Sequence, residues 1–251
     1  MSNFVRSRRL ILPPVLNNIL QRAAIFQVFI TIGFETVLVL GALSAQNISG
    51  SDRIFGLATT TIFAIGQLVI ALPVGKWMDR FGRRPVLLVG SLAETAALIF
   101  IGISLLAGSR LWFSSSLILL GLGSGAAQMA YLIGGDIYPP TRRAEGLGLM
   151  TTSIAIGIVA GPYLIGLISD LANILGYDPL VFPWFCLSLL TALASWLMYG
   201  LHPDPLQVAN DLVSYFPSGH DQAGILEDNG TTPSHGLCKL LHHYPITASI
   251  G

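Results

Sequence analysis

Long apolar runs alternate with short polar connections along the first 200 residues of the chain. Six segments are apolar over about 20 residues or more, at positions 24–46, 53–75, 85–107, 111–134, 146–169 and 180–200. A helix needs about 20 residues to cross a hydrocarbon core of about 30 Å, because each residue adds about 1.5 Å. The pattern therefore predicts six transmembrane helices. The short connections predict that consecutive helices are antiparallel neighbours.

Composition also indicates an integral membrane protein. Of the 251 residues, 53% are hydrophobic and only 10% are charged, whereas soluble domains carry about 25% charged residues. The formal net charge is zero, so nothing favours nucleic acid as a partner. The sequence shows no nucleophile with a base, no phosphate loop and no metal-ligand cluster, so we predict neither an enzyme nor a cofactor.

Lysine and arginine are concentrated on alternate connections. Ten lie on the side of the N-terminus: Arg6, Arg8, Arg9, Arg22, Lys76, Arg80, Arg83, Arg84, Arg142 and Arg143. Only Arg53 and Arg110 lie on the opposite side. Because such residues stay in the cytoplasm, we predict a plasma- or inner-membrane protein with both termini inside. It divides into a basic N-terminal segment (1–22), a six-helix transmembrane domain (23–201) and a polar tail (202–251).

The segment 75–85 combines cations with regularly spaced glycines and an aspartate. It matches the pattern G-x-x-x-D-R-x-G-R-R through Gly75, Asp79, Arg80, Gly82, Arg83 and Arg84. Glycines permit close approach and sharp turns at helix ends, and arginine can bind a carboxylate with two hydrogen bonds. The segment resembles the loop between helices 2 and 3 of the major facilitator superfamily of secondary transporters, which implies a conformational latch. An ordinary basic loop would account for the cations alone.

The connection after the fourth predicted helix is similar to the second cytoplasmic loop of that family. Its charged residues are Asp136, Arg142, Arg143 and Glu145, around a proline turn. We expect them to join the segment 75–85 in one ionic network, whose pairs would form in one conformation and break in the other. The alternative is simple anchoring of the helix ends.

The fifth predicted helix contains Gly157, Gly161, Pro162 and Gly166. Gly157 and Gly161 share a helix face, and Pro162 removes a backbone donor and bends the helix. The run looks like the G-x-x-x-G-P motif of the drug and metabolite antiporters of the superfamily, although it has Ile165 where a glycine is usual. A generic packing kink is the alternative. The arginine that proton-coupled members often carry in helix 4 is absent, since the residues around Ile118 are apolar.

Two acids fall inside predicted helices. Glu35 lies near the middle of the first and Glu94 about one third along the third. A buried carboxyl costs about 2.5–3.5 kcal/mol on the insertion scale and usually faces a cavity or partner. Both are candidates to carry a proton or to face a cationic substrate, with Gln67 and Gln128 as further polar candidates; structural hydrogen bonding is the alternative. We rank Glu94 lower because it could reach the cations of segment 75–85.

The sixth predicted helix is uniformly apolar, with Trp184 and Trp196 toward its two ends, where we expect membrane interfaces. The tail resembles the central loop joining the two halves of a facilitator. Its His235, His242 and His243 lie near Cys238, but their spacing fits no zinc pattern, so we predict no metal site.

The resemblance implies an all-α bundle of six helices, arranged as two inverted three-helix repeats and equal to the N-terminal half of a major facilitator. It implies transport of a small organic solute and favours efflux in exchange for protons. The partners would be the lipid bilayer, the solute, protons, and a missing second half or a dimer partner. Three possibilities are open: a fragment of a twelve-helix transporter, a half-size transporter that pairs, and a non-transporting vestige or regulatory subunit.

Overall fold

The structure is a computed structural model that describes residues 12–50 and 53–211. It contains six long helices, which confirms the predicted number of spans: α1 (Pro14–Ser49), α2 (Arg53–Phe81), α3 (Arg83–Leu106), α4 (Arg110–Ile137), α5 (Pro140–Leu175) and α6 (Phe182–Tyr199). A short helix α7 (Pro205–Asn210) follows. The described residues contain no β-strand. Helix α1 includes a π-helical turn at Val37–Gly41, and α4 includes a 3₁₀ turn at Gln128–Tyr131.

Two helix ends differ from the sequence prediction. Helix α1 begins at Pro14 rather than near residue 24, because proline is favoured in the first turn of a helix. Helix α2 continues to Phe81, through most of the segment that we expected to be a loop. Only Gly82 separates α2 from α3, and its φ of 97° is a conformation that favours glycine. The segment 75–85 is therefore two helix ends joined by a single residue.

Close helix contacts order the bundle. Helix α4 packs against both α2 and α3, and α1 packs against α5 and α6. A Cβ added to Gly66 of α2 would lie 3.0 Å from Cα of Gly121 in α4, and one added to Gly90 of α3 would lie 2.9 Å from Cβ of Ala126 in α4. Such small residues let helices in a membrane approach backbone to backbone. Helix α4 is thereby held between α2 and α3.

The two tryptophans of α6 have different environments. Trp196 is 69% exposed, but Trp184 is fully buried and its Nε1 donates a hydrogen bond to Oγ of Ser44 at 3.3 Å. Trp184 lies near the start of α6, as predicted, but its ring faces the other helices rather than the surroundings, because its indole finds a polar partner there. It packs with Phe63 and Phe113 in one of two hydrophobic clusters.

Burial is uneven among the helices. In the most apolar 18-residue window, 61% of residues are buried in α1 and in α4, but only 28% in α2 and 17% in α5. Helices α2 and α5 therefore present broad apolar faces to the surroundings of the bundle, which for a membrane protein are lipid or another protein.

Candidate functional site

A polar stripe runs along one face of α1. Gln27, Thr31 and Glu35 follow one another at intervals of four residues, and all are buried. Residues at this spacing lie above one another on a helix. Nε2 of Gln27 donates to Oε1 of Gln128 in α4 at 2.6 Å, and Oγ1 of Thr31 donates to the backbone oxygen of Gln27 at 2.8 Å. The polar stripe thus places the predicted residues Glu35 and Gln128 in one continuous polar region.

The glycines of α5 pack directly on this polar stripe. A Cβ added to Gly157 would lie 2.6 Å from Cβ of Thr31, and one added to Gly161 would lie 2.9 Å from Cβ of Glu35. Two glycines four residues apart therefore match two stripe residues four residues apart. Pro162 lies within the continuous helix α5. Gly166 does not share this role, since a Cβ there would meet no atom within 4 Å.

Glu94 lies on the other side of α1 from the polar stripe. Its side chain is fully buried, and neither carboxyl oxygen has a hydrogen-bond partner among the described residues. Oε1 lies against the Cα side of Gly33, where an added Cβ would also be 2.8 Å from Cγ2 of Thr191 in α6. The expectation that Glu94 reaches the cations of segment 75–85 is wrong, because about three helical turns separate it from Arg83.

Gln67 is half-buried on α2 and stands apart from the polar stripe. A Cβ added to Gly125 of α4 would lie 3.3 Å from Cα of Gln67, so its backbone takes part in helix packing. The described residues give its amide no hydrogen bond to the polar stripe.

At the end of the bundle that carries segment 75–85, charged side chains connect three helices. Arg83 lies 3.0 Å from Asp136 of α4, measured from Nε to Oδ2, and 3.4 Å from Asp79 of α2, from Nη1 to Oδ1. The side chains of Arg83 and Asp136 are only 14% and 18% exposed, whereas Asp79 is 73% exposed. The Arg83–Asp136 pair thus joins the two predicted loop segments.

The other predicted charged residues lie outside this pair. Nε of Arg142 is 3.0 Å from Oε1 of Glu145, within its own segment, and Arg143 is exposed at the start of the α-helical part of α5. Arg80 lies over the ring of Phe81, 5.3 Å from its centroid. We predicted that Gly75 permits a close approach between helix ends, and this is wrong. Gly75 lies inside α2, and a Cβ there would meet no atom within 4 Å.

Asp204, which the sequence did not single out, caps the start of α3. Its Oδ1 accepts from the backbone N–H of Arg83 at 3.1 Å and of Leu206 at 2.9 Å, and its Oδ2 accepts from the N–H of Arg84 at 3.1 Å. A carboxylate satisfies the free N–H groups of a helix start and complements the helix dipole. A Cβ on Gly82 would lie 2.6 Å from Oδ2 of Asp204. Gly82 is therefore needed for space as well as for its φ.

Two further groups complete this end. Arg84 donates from Nη2 to the backbone oxygen of Tyr199 at the end of α6. Burial raises the pKa of the Tyr138 hydroxyl, and the nearby Glu145 adds to the effect, so Tyr138 is neutral near pH 7.

The histidines at 235, 242 and 243 and Cys238 lie outside the described residues. Within residues 12–50 and 53–211 no group of His, Cys, Asp and Glu side chains could hold a metal ion.

Comparisons with known proteins agree with this architecture. The chain is 29% identical over 215 residues to the uncharacterized MFS-type transporter YdeG of Bacillus subtilis (strain 168), which covers 85% of this chain and 50% of that protein. It is 30% identical over 142 residues to multidrug resistance protein 2 of the same organism, covering 55% and 33% of the two chains. The chain spans about half the length, or less, of these relatives.

A solved structure has the same fold. The inward-open xylose transporter XylE from E. coli superimposes with a TM-score of 0.60 at 15% identity, over 94% of this chain and 58% of that one. The family model for the Major Facilitator Superfamily matches residues 23–218. With six apolar helices long enough to span a bilayer, the chain is a multi-pass membrane protein and belongs to the Major Facilitator Superfamily.

Proposed function

We propose that this chain forms one six-helix half of a secondary transporter that exports a small organic solute in exchange for protons. The observation that carries the proposal is the contact between Glu35 and Gly161. It brings the acid of α1 against the glycine motif that resembles the antiporter branch. The similarity to a multidrug resistance protein supports efflux.

Glu35 has the properties of a proton-exchanging group. It lies in a transmembrane helix, it is 7% exposed, and no ion pair among the described residues holds it as a charged anion. An acid in such a position usually faces a cavity or a pathway. Gln27, Thr31 and Gln128 extend the polar surface from this acid toward the charged end. A proton could pass along these buried and half-buried polar groups.

Helices α2 and α5 supply the argument for a second half. The small buried share of both helices, 28% and 17%, leaves apolar faces on the outside of the bundle. Facilitators move solute between two six-helix halves, near the membrane midplane. We propose that a second half, in the same polypeptide or in a partner chain, covers part of these faces. The six helices would form two inverted three-helix repeats.

The charged end would then act as the conformational latch. Arg83 holds α2, α3 and α4 together through Asp79 and Asp136. An ion pair that forms in one conformation and breaks in another changes the balance between the two. The excess of basic residues at this end supports a cytoplasmic location for it and for the N-terminus.

A Glu35→Gln variant tests the proton role. Efflux of a lipophilic cation such as ethidium, from cells that make the full chain, is measured across a range of external pH. We expect the wild type to respond to pH and the Gln variant to lose this response, because the amide cannot exchange a proton. Asp170→Asn, at an exposed position of α5, is the matched control. A pH profile unchanged in Glu35→Gln would remove Glu35 from the mechanism.

If neither the wild type nor the variant exports ethidium, the next question is whether a second six-helix half is missing. The mass of the intact protein from its native membrane separates the cases. A mass near 26.8 kDa would leave a separate partner chain or a non-transporting role, and about twice that value would mean that both halves are one polypeptide.

A further inference from the structure

An apolar groove lies on the outside of the bundle, between α2 and α3. Its volume is about 320 Å³. Helix α2 contributes Ile70, Trp77 and Phe81 to its lining. Although a single residue joins α2 to α3, the two helices do not pack along their length, because the close contacts of Gly66 and Gly90 hold α4 between them. The groove is the space that remains outside α4.

The groove has the depth of one bilayer leaflet. Phe81 follows Ile70 by eleven residues, which is about 16 Å along a helix and roughly half of a hydrocarbon core of about 30 Å. The lining residue Val89 is 67% exposed, so the groove opens beside a side chain that suits lipid. Its contents are therefore in contact with the apolar interior of a single leaflet.

Two cations of α2 lie beside the groove without lining it. Lys76 and Arg80 are exposed and lie one turn apart on α2, and each precedes one of the two groove aromatics. The Arg80 guanidinium lies over the ring of Phe81, 5.3 Å from its centroid. Among the described residues, no carboxylate lies within salt-bridge distance of either cation, since Asp79 pairs with Arg83. An occupant with an anion beside Phe81 would be complementary to Arg80, and Lys76, one helical turn deeper, would add positive charge on the same side.

We propose that the groove binds one acyl chain of an anionic phospholipid, whose phosphate headgroup is held by Lys76 and Arg80. The apolar lining and leaflet depth fit the chain, and the paired cations fit the headgroup. Trp77 at the mouth is suited to the boundary between tail and headgroup. An apolar helix is the alternative occupant, and a phospholipid is favoured because its headgroup necessarily carries an anion at the end of its acyl chains. The inference is independent of the exported solute and of proton coupling.

Fluorescence quenching in bilayers tests the proposal. The full chain is placed in phosphatidylcholine bilayers that contain a fixed fraction of either phosphatidylglycerol or phosphatidylcholine with brominated acyl chains. The signal from Trp77 is the difference between the wild type and Trp77→Phe. Since each basic residue near a membrane surface strengthens attraction to anionic lipid, we expect the apparent affinity for brominated phosphatidylglycerol to exceed that for brominated phosphatidylcholine by about tenfold or more.

Three variants make the result specific. Lys76→Gln/Arg80→Gln should abolish the preference for the anionic lipid, whereas Arg53→Gln, an exposed cation at the opposite end of α2, should retain it. Ala93→Phe should reduce quenching of Trp77 by both lipids, because it fills the groove. Its thermal unfolding midpoint serves as the check that the variant is folded.

Equal quenching by the two lipids would overturn the proposal, and so would a preference that survives in Lys76→Gln/Arg80→Gln. Absence of quenching by either lipid would show that no acyl chain occupies the groove and would also overturn the proposal; cross-links at Val89→Cys would then show whether a second copy fills it.

Discussion

Acidic side chains have opposite surroundings at the charged end of the bundle and at mid-membrane. Asp136 lies 3.0 Å from Arg83, and Asp204 accepts hydrogen bonds from three backbone N–H groups. Glu94 has no partner for either oxygen in the described part of the chain, and Glu35 packs against the backbone of Gly161. The acids at the charged end link helices to one another. Those at mid-membrane make no such link, so stability does not explain their presence.

If this contrast is correct, replacing an acid at the charged end by a neutral residue should lower the free energy of unfolding. The same replacement at mid-membrane should change it little. Packing around the mid-membrane acids should matter instead. The variants below test these two statements through thermal unfolding of the purified full chain in detergent, in order of decreasing expected effect.

Gly33→Leu should have the largest effect. A Cβ at this position would overlap the carboxyl group of Glu94 and approach Thr191, and overpacking of this kind costs about 3 kcal/mol or more where backbone must move. We expect loss of most folded protein. Gly166→Leu is the control, because a Cβ there meets no atom within 4 Å. Similar unfolding midpoints for the two variants would show that Glu94 is not enclosed by close packing.

Asp136→Asn should destabilise the protein by about 1–3 kcal/mol, because it leaves Arg83 without its close, mostly buried partner. Asp79→Asn removes a longer pair at a largely exposed position and should cost about 0.5 kcal/mol or less. If Asp79 acts in the latch, the second variant should nevertheless lose transport. Equal destabilisation by the two variants would contradict the assignment of the main helix link to Asp136.

Asp204→Ala should cost about 1–2 kcal/mol, the usual effect of losing a side-chain cap. The change frees the N–H groups of Arg83, Arg84 and Leu206 at once. Asp170→Ala, on the exposed side of α5, is the control. An Asp204→Ala midpoint equal to that of the control would mean that water replaces the cap without cost.

Glu94→Gln should have the smallest effect, within about 0.5 kcal/mol of the wild type, because the amide has the shape of the carboxyl and the carboxyl has no ion pair to lose. Its efflux should also keep the pH response that Glu35→Gln loses. If efflux by Glu94→Gln did not respond to pH, Glu94 rather than Glu35 would be the proton-exchanging acid. A destabilisation as large as that of Asp136→Asn would break the contrast itself.

Much of the architecture could be predicted from the sequence. Six apolar runs were enough to count the spans, because a helix must cover the whole hydrocarbon core. The spacing of Asp79, Gly82 and Arg83 located the charged end. Helix ends were less predictable, since α2 continues through charged residues to Phe81; charge alone does not end a helix that emerges from the membrane.

The contacts between distant residues could not be predicted. Asp204 caps a helix that begins more than 100 residues earlier, and Gly33 faces Glu94 from another helix. Such pairs depend on which helix faces pack together, and a single sequence contains no direct signal for this. The polar stripe was different. The four-residue spacing of Gln27, Thr31 and Glu35 was visible, and it could have shown that the acid belongs to a continuous polar face.

The π-helical turn at Val37–Gly41 has a consequence for changes in the length of α1. Such a turn contains one residue more than the α-helix around it, and it follows directly after the polar stripe. Deleting one residue within it would return the turn to regular α-helix without rotating Glu35 away from α5. A deletion between Gly33 and Glu35 would instead turn one of these residues by about 100° relative to the other. Helix α1 can therefore lose a residue beyond Thr36 while Gly33 still faces Glu94 and Glu35 still faces Gly161.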